Sequence, residues 1–279
     1  MKKVAIVGLG WLGMPLAMSL TAAGWQVTGT KTTQDGVAAA RMSGIDSYLL
    51  ELTPELICES EDLESLLSHV DALVITLPAS RTASGGESYQ LAVQQLVDSA
   101  LAFSVPRIIF TSSTSVYGDS VGNTKESTPL EPVSVAGRTL QDLESWLHNL
   151  PNTSVDILRL AGLVGPNRHP GRFLAGKTGL ANGSQGVNLV HLEDVIEAIT
   201  LLLQTPKGGH IYNLSAAQHP ARAQFYPQVA RQLGLQPPTF LADDSGNSGN
   251  SGKLIDGSKI CRELGFEYRY PDPNKMPLA

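Results

Sequence analysis

The chain has 279 residues, 42% of them apolar, and a formal charge of −6. No basic run is present to track a nucleic-acid backbone or an anionic membrane, so neither is expected as a partner. Two cysteines, Cys58 and Cys261, lie without a partner motif, and none of the six histidines falls at metal-ligand spacing, so the sequence predicts neither a disulfide framework nor a metal centre.

Val4-Ala5-Ile6-Val7 reads as a buried strand, and Gly8, Gly10 and Gly13 follow at once as G-x-G-x-x-G. Gly8 permits a tight turn, Gly10 leaves bare backbone against a pyrophosphate, and Gly13 lets the next helix pack close. Met14, Leu16, Ala17 and Leu20 repeat at helical spacing, so the turn that includes Trp11 and Leu12 forms the positive end of a helix. Lys2 and Lys3 ahead of an apolar run resemble a secretory leader. The glycines argue for a strand and a phosphate turn instead, and a cytoplasmic protein is expected.

Gly24 ends the helix, and Trp25 to Thr30 forms a second strand where a ribose-reading residue belongs. Helices over 34–43 and 61–67 alternate with strands over 47–50 and 72–76. Leu77, Pro78 and Ala79, with Ser80 and Arg81 behind them, lie at the carboxyl end of that last strand, where ligands of such sheets sit. A helix over 89–103, the strand 107–110 ending in Thr111-Ser112-Ser113-Thr114-Ser115, a helix over 137–149, the strand 155–160, a helix over 192–204 and the strand 210–214 complete the rhythm. This alternation predicts an α/β fold: a Rossmann-type doubly wound parallel sheet with a small C-terminal cap.

The dinucleotide domain is expected over 1–165, with 187–215 returning to it. The cap is expected over 166–186 and 216–279, at the carboxyl edge of the sheet. A helix over 221–233 falls in it, and the polar run 243–252 reads as a flexible loop. Asn167, Arg168, His169 and Arg172, with Lys177 nearby, would suit a small anionic substrate, although loop arginines are often only solvated.

With Thr111 to Gly118, Glu126-Ser127-Thr128-Pro129, Leu158 to Pro166, Val190-His191-Leu192-Glu193-Asp194-Val195, Tyr212-Asn213-Leu214 and Ser258 to Phe266 in the same order, nearly the whole chain resembles the extended short-chain dehydrogenases/reductases, the NAD-dependent epimerases and dehydratases. The resemblance implies an active-site serine, matched by Ser113, and a Tyr-x-x-x-Lys pair on the following helix. Those two positions hold Ala136 and Leu140. Arg138 lies about 200° round the helix from them and cannot substitute, while Ala136, Leu140, Leu143 and Leu147 form one apolar seam. Ser113 reads equally as a strand-end serine satisfying backbone groups and as a substrate contact. Tyr117 is the remaining hydroxyl acid; without a lysine its pKa should stay near ~10, so it is expected to line the pocket more than to transfer protons. Family members acting on nucleotide sugars carry an arginine four residues before the histidine of His-x-x-Asp, where this chain has Val187.

Thr30-Lys31-Thr32 at the end of the second strand replaces the usual acidic residue by a cation between hydroxyls, which favours NADP over NAD. Two readings follow. One is an NAD(P)-dependent oxidoreductase or epimerase in which Ser113, Tyr117 or a cap residue supplies the proton chemistry. The other is a non-catalytic NADP(H) sensor or partner-binding module.

Overall fold

The computed structural model describes residues 2–52, 55–79, 86–242 and 252–278. Short apolar runs become strands because both faces are covered: in β1 (Lys3–Val7), Val4, Ala5, Ile6 and Val7 have no exposed surface. β2 (Gln26–Lys31), β3 (Asp46–Leu49), β4 (Ala72–Ile75), β5 (Arg107–Ser113), β6 (Ser154–Leu160) and β7 (Ile211–Leu214) join it in one sheet of seven strands, ordered β7-β6-β5-β4-β1-β2-β3. The registers run in parallel from β3 through β2, β1 and β4 to β5. Reversal of order on either side of β1 is the doubly wound pattern, with its ligand crevice at the switch point.

α1 (Gly13–Ala22), α2 (Gln34–Met42), α3 (Ser60–Leu67), α4 (Gly86–Ala102), α5 (Val135–His148) and α6 (Leu192–Gln204) alternate with those strands. α5 buries Leu140, Leu143 and Leu147, three members of the seam read from the sequence, while Ala136 is half-buried. Among the described residues no helix is long and apolar enough to cross a membrane.

The chain divides into two compact units. The first comprises 1–116, 132–158 and 198–211; the second comprises 117–131, 159–197 and 212–279. The second unit therefore takes in 117–131, 159–165, 187–197 and 212–215 besides the two segments expected for the cap. It contains two short parallel strand pairs, Gly162–Val164 with Leu189–His191 and Gly122–Thr124 with Lys253–Ile255, together with α7 (Arg222–Gln232) and α8 (Lys259–Leu264). Its core joins Val164, Val187, Leu189, Ala216, Phe225, Val229 and Met276. Ser80 and Arg81, and residues 243–251 of the loop expected over 243–252, lie outside the described residues.

Candidate functional site

The turn after β1 is held from both neighbouring strands. Gly8 has φ of +102°, a conformation that favours glycine, and its N–H donates to Thr30 Oγ1 at 3.1 Å while its carbonyl accepts from Thr76 Oγ1 at 2.6 Å. Leu9, 1% exposed, drops into the space left by Gly29, where a Cβ would come within 2.6 Å of its side chain. At Gly13 a Cβ would sit 2.0 Å from the Gly8 carbonyl, so the start of α1 packs on the turn backbone itself. Gly10 is the opposite case: exposed, with no atom of the described residues beyond its two chain neighbours within 4 Å of an added Cβ. No side chain caps Leu12 at the head of α1. An open glycine beside an uncapped helix N-terminus is the cradle a pyrophosphate requires, and the donors there fit a dinucleotide.

Several expected contacts take other roles. Thr30 is buried, and its hydroxyl ties down the turn by accepting from the Gly8 N–H. Leu12 is buried as well, leaving its backbone as the group a ligand could meet, while Trp11 is half-buried. Lys31 at the end of β2 is half-buried, and its stem passes Gly36 in the first turn of α2, 3.3 Å from where a Cβ would stand. Thr32 is exposed, and Thr33 caps α2 by accepting from the Gly36 N–H. The lysine thus shares a helix N-terminus with Thr32 and Thr33, and with Asp35 in the same turn. At the end of β4 the Leu77 carbonyl accepts from Tyr89 O–H at 2.8 Å, with Pro78 exposed and Ala79 half-buried beside it. Burial of Tyr89 pushes its pKa well above the ordinary phenol value.

Ser113 closes β5 half-buried, its Oγ accepting from the Ser115 N–H at 3.2 Å. This is the backbone-satisfying role weighed from the sequence. α5 approaches the same segment, since a Cβ at Gly137 would lie 2.9 Å from the Ser115 carbonyl. The neighbouring Ser112 is buried and donates to the buried Glu144 of α5 at 2.5 Å.

Tyr117, expected to line a pocket, is instead sealed within the second unit. It has no exposed surface; its hydroxyl donates to Asn213 Oδ1 at 2.6 Å and accepts from Arg159 Nη1 at 2.8 Å. Burial raises its pKa, an effect partly offset by the Arg159 charge. Asn213 and Arg159 also bond Glu126 and the backbone of residues 124, 126 and 256, which closes the network. The phenol is engaged there as both donor and acceptor with Asn213 and Arg159.

In the second unit Asn167, His169 and Arg172 come together with Gln232 around a cavity of about 550 Å³. Leu233, Met276 and Leu278 supply its apolar wall. Arg168, expected with this group, is exposed and does not line it. Val187 is buried in the second unit's core, and its carbonyl faces His219 Nδ1 at 3.0 Å. Sequence reasoning missed Thr76, Gly29, Gln232 and the C-terminal residues. Each acts through a partner distant in the chain, which local patterning does not display. Among the described residues no group of three or more His, Cys, Asp or Glu is placed to hold a metal ion.

Comparison with known proteins gives a consistent assignment. The model of the NAD dependent epimerase/dehydratase family matches residues 4–215. The chain is 72% identical over 279 residues to Protein YeeZ of Escherichia coli (strain K12), covering all of both chains. It is 27% identical over 179 residues, 56% of this chain and 57% of the other, to the Uncharacterized UDP-glucose epimerase YtcB of Bacillus subtilis (strain 168). Among solved structures it is similar to a functionally unknown conserved protein from Silicibacter pomeroyi, with 25% identity, a TM-score of 0.76 and coverage of 98% and 95% of the two chains. It also shares the fold of the Bacillus cereus UDP-glucuronic acid 4-epimerase in complex with NAD, at 20% identity and a TM-score of 0.73 over 96% and 94% of the chains.

Proposed function

The chain belongs to the NAD dependent epimerase/dehydratase family, and from that premise we propose that its first unit binds NADP in preference to NAD while the family's proton relay has been lost. The observation that carries this reading is Gly10, an open and exposed glycine beside the uncapped start of α1. A bound nicotinamide would supply hydride-transfer capacity. The turn residues Gly8 to Gly13 would hold the pyrophosphate, and Leu77 to Ala79 would border the cofactor at the end of β4. Lys31, with the first turn of α2, would hold the 2′-phosphate. Asp35 in that turn is the residue that would favour NAD.

Proton transfer of the family's kind has no residue to perform it in this reading. Leu140 is buried in α5 where the resemblance implies a lysine, Ala136 lacks the phenol, and Tyr117 is consumed by Arg159 and Asn213. The protein is therefore read as an NADP(H) sensor or partner-binding module with a ligand loop at Asn167 to Arg172. One observation favours the catalytic alternative, an oxidoreductase or epimerase acting on a small anionic substrate. Ser113 is half-buried, and while it accepts from Ser115 it keeps its own O–H to donate.

Titration of NADP and NAD into the wild type and Lys31→Ala tests the cofactor assignment. NADP is expected to bind more tightly to the wild type, and the substitution should weaken NADP by about tenfold, as loss of one charge-assisted contact does, with NAD unchanged. Equal affinities with no effect of the substitution would refute the NADP preference.

A further inference from the structure

The cavity in the second unit has a composition that selects its ligand. Resting on the reading that the loop from Asn167 to Arg172 is a ligand loop, we propose that this cavity binds a monocarboxylate carrying a short apolar body. Its volume of about 550 Å³ lies within the range of small-molecule sites. Its polar lining is Asn167, His169 and Arg172 from the loop, with Gln232 from the end of α7. Its apolar lining is Leu233, Met276 and Leu278.

Charge fixes the headgroup. Among the described residues lining the cavity Arg172 is the permanent cation and there is no carboxylate. His169 Nδ1 accepts from the Gly171 N–H at 2.9 Å, so the ring carries its proton on Nε2 and offers a neutral donor. Burial first, and then the Arg172 charge, push the His169 pKa below its ordinary value, which keeps it neutral at pH 7. One positive charge matches a single negative charge, and the guanidinium fork matches the two oxygens of a carboxylate. A phosphate dianion would lack its second cation. No Phe, Tyr or Trp is among those lining residues.

The walls are set before any ligand arrives. A Cβ at Gly171 would sit 2.3 Å from the Val229 carbonyl, so the loop rests directly on the backbone of α7. The C-terminal wall is tied to the start of α6, where Asp194 accepts from the N–H groups of Arg269 and Tyr270 at 2.7 and 3.2 Å. His191 Nε2 donates to the Pro277 carbonyl at 2.9 Å, between the two apolar lining residues Met276 and Leu278. A site whose three components are already packed loses little entropy on binding.

The test uses hexanoate, its neutral amide hexanamide, and inorganic phosphate, each titrated at pH 7 into the full-length protein and into Arg172→Gln by chemical-shift perturbation. NADP is titrated into the same samples. Hexanoate should saturate with a Kd of about 1 mM, a reasonable value for so small a ligand. Hexanamide and phosphate should bind at least tenfold more weakly, and Arg172→Gln should cost hexanoate tenfold or more. Absence of saturation, equal binding of the amide, tighter binding of phosphate, or an unaltered Arg172→Gln would each overturn the proposal. Leu233→Asp, which sets a negative charge on the apolar wall, should also abolish hexanoate binding, and retained affinity would exclude this cavity. If NADP binds and hexanoate does not, this inference fails alone; if hexanoate binds and NADP does not, the nucleotide reading fails alone.

Discussion

At the scale of single residues, the phosphate turn depends on hydroxyls that touch no ligand. Thr30 and Thr76 hold the N–H and the carbonyl of Gly8 from opposite neighbouring strands. Replacing Thr30, 3% exposed, by valine leaves that N–H without its acceptor, and a buried unsatisfied donor costs about 1–3 kcal/mol. Thermal unfolding of Thr30→Val should show this loss and NADP affinity should fall with it, while Thr30→Ser restores both; an unchanged Thr30→Val would remove the clamp from the account. The glycines of this turn were legible from their spacing alone, because each answers a local steric demand. The roles of Thr30 and Thr76 were not, because a threonine at a strand end reads the same whether its hydroxyl faces ligand or backbone. Tyr117 shows the same limit: its partners Arg159 and Asn213 come from separate strands, and only the fold reveals that the hydroxyl is spoken for.

Among the elements, those with strong periodicity were legible nearly to their ends, and α6 spans the expected 192–204. The pairs 162–164 with 189–191 and 122–124 with 253–255 escaped notice. Three residues are too few to show a period, and a parallel pair leaves no hairpin turn to mark it. α5 supplies a direct test of the proposed loss of the relay. Leu140 is 4% exposed, so Leu140→Lys removes buried apolar contacts and forces a cation among Leu143 and Leu147. A destabilisation of about 3 kcal/mol or more is expected in denaturant unfolding; a neutral substitution would mean that this face still admits the family's lysine. At the far end of the sheet, Asp156 is wholly buried and binds Arg107 at 2.8 Å and the His210 N–H at 3.0 Å, while Arg107 also donates to the Thr205 carbonyl after α6. Asp156→Ala strands the largely buried arginine and should cost about 3–5 kcal/mol by the same measurement, and a loss below 1 kcal/mol would show that the clamp does not hold the edge strands.

For the whole molecule, the composition breaks at 165–186 and after 216 announced a second unit but not its extent. The unit also recruits 117–131, whose strand pairs with 253–255, and a boundary defined by such distant contacts leaves no mark in local composition. The central claim is that the first unit keeps a working dinucleotide site, and Gly10 provides the cleanest handle on it. Among the described residues, no atom beyond its chain neighbours lies within 4 Å of an added Cβ there, and Gly10 does not need a positive φ, so Gly10→Val should fold as the wild type does and obstruct only the pyrophosphate. The measurement is thermal unfolding of the wild type and Gly10→Val with and without NADP at one hundred times the wild-type Kd. Equal stability is expected without cofactor, with a gain of about 2.7 kcal/mol for the wild type with NADP and none for Gly10→Val. An equal gain in both proteins would place the nucleotide elsewhere and contradict that claim.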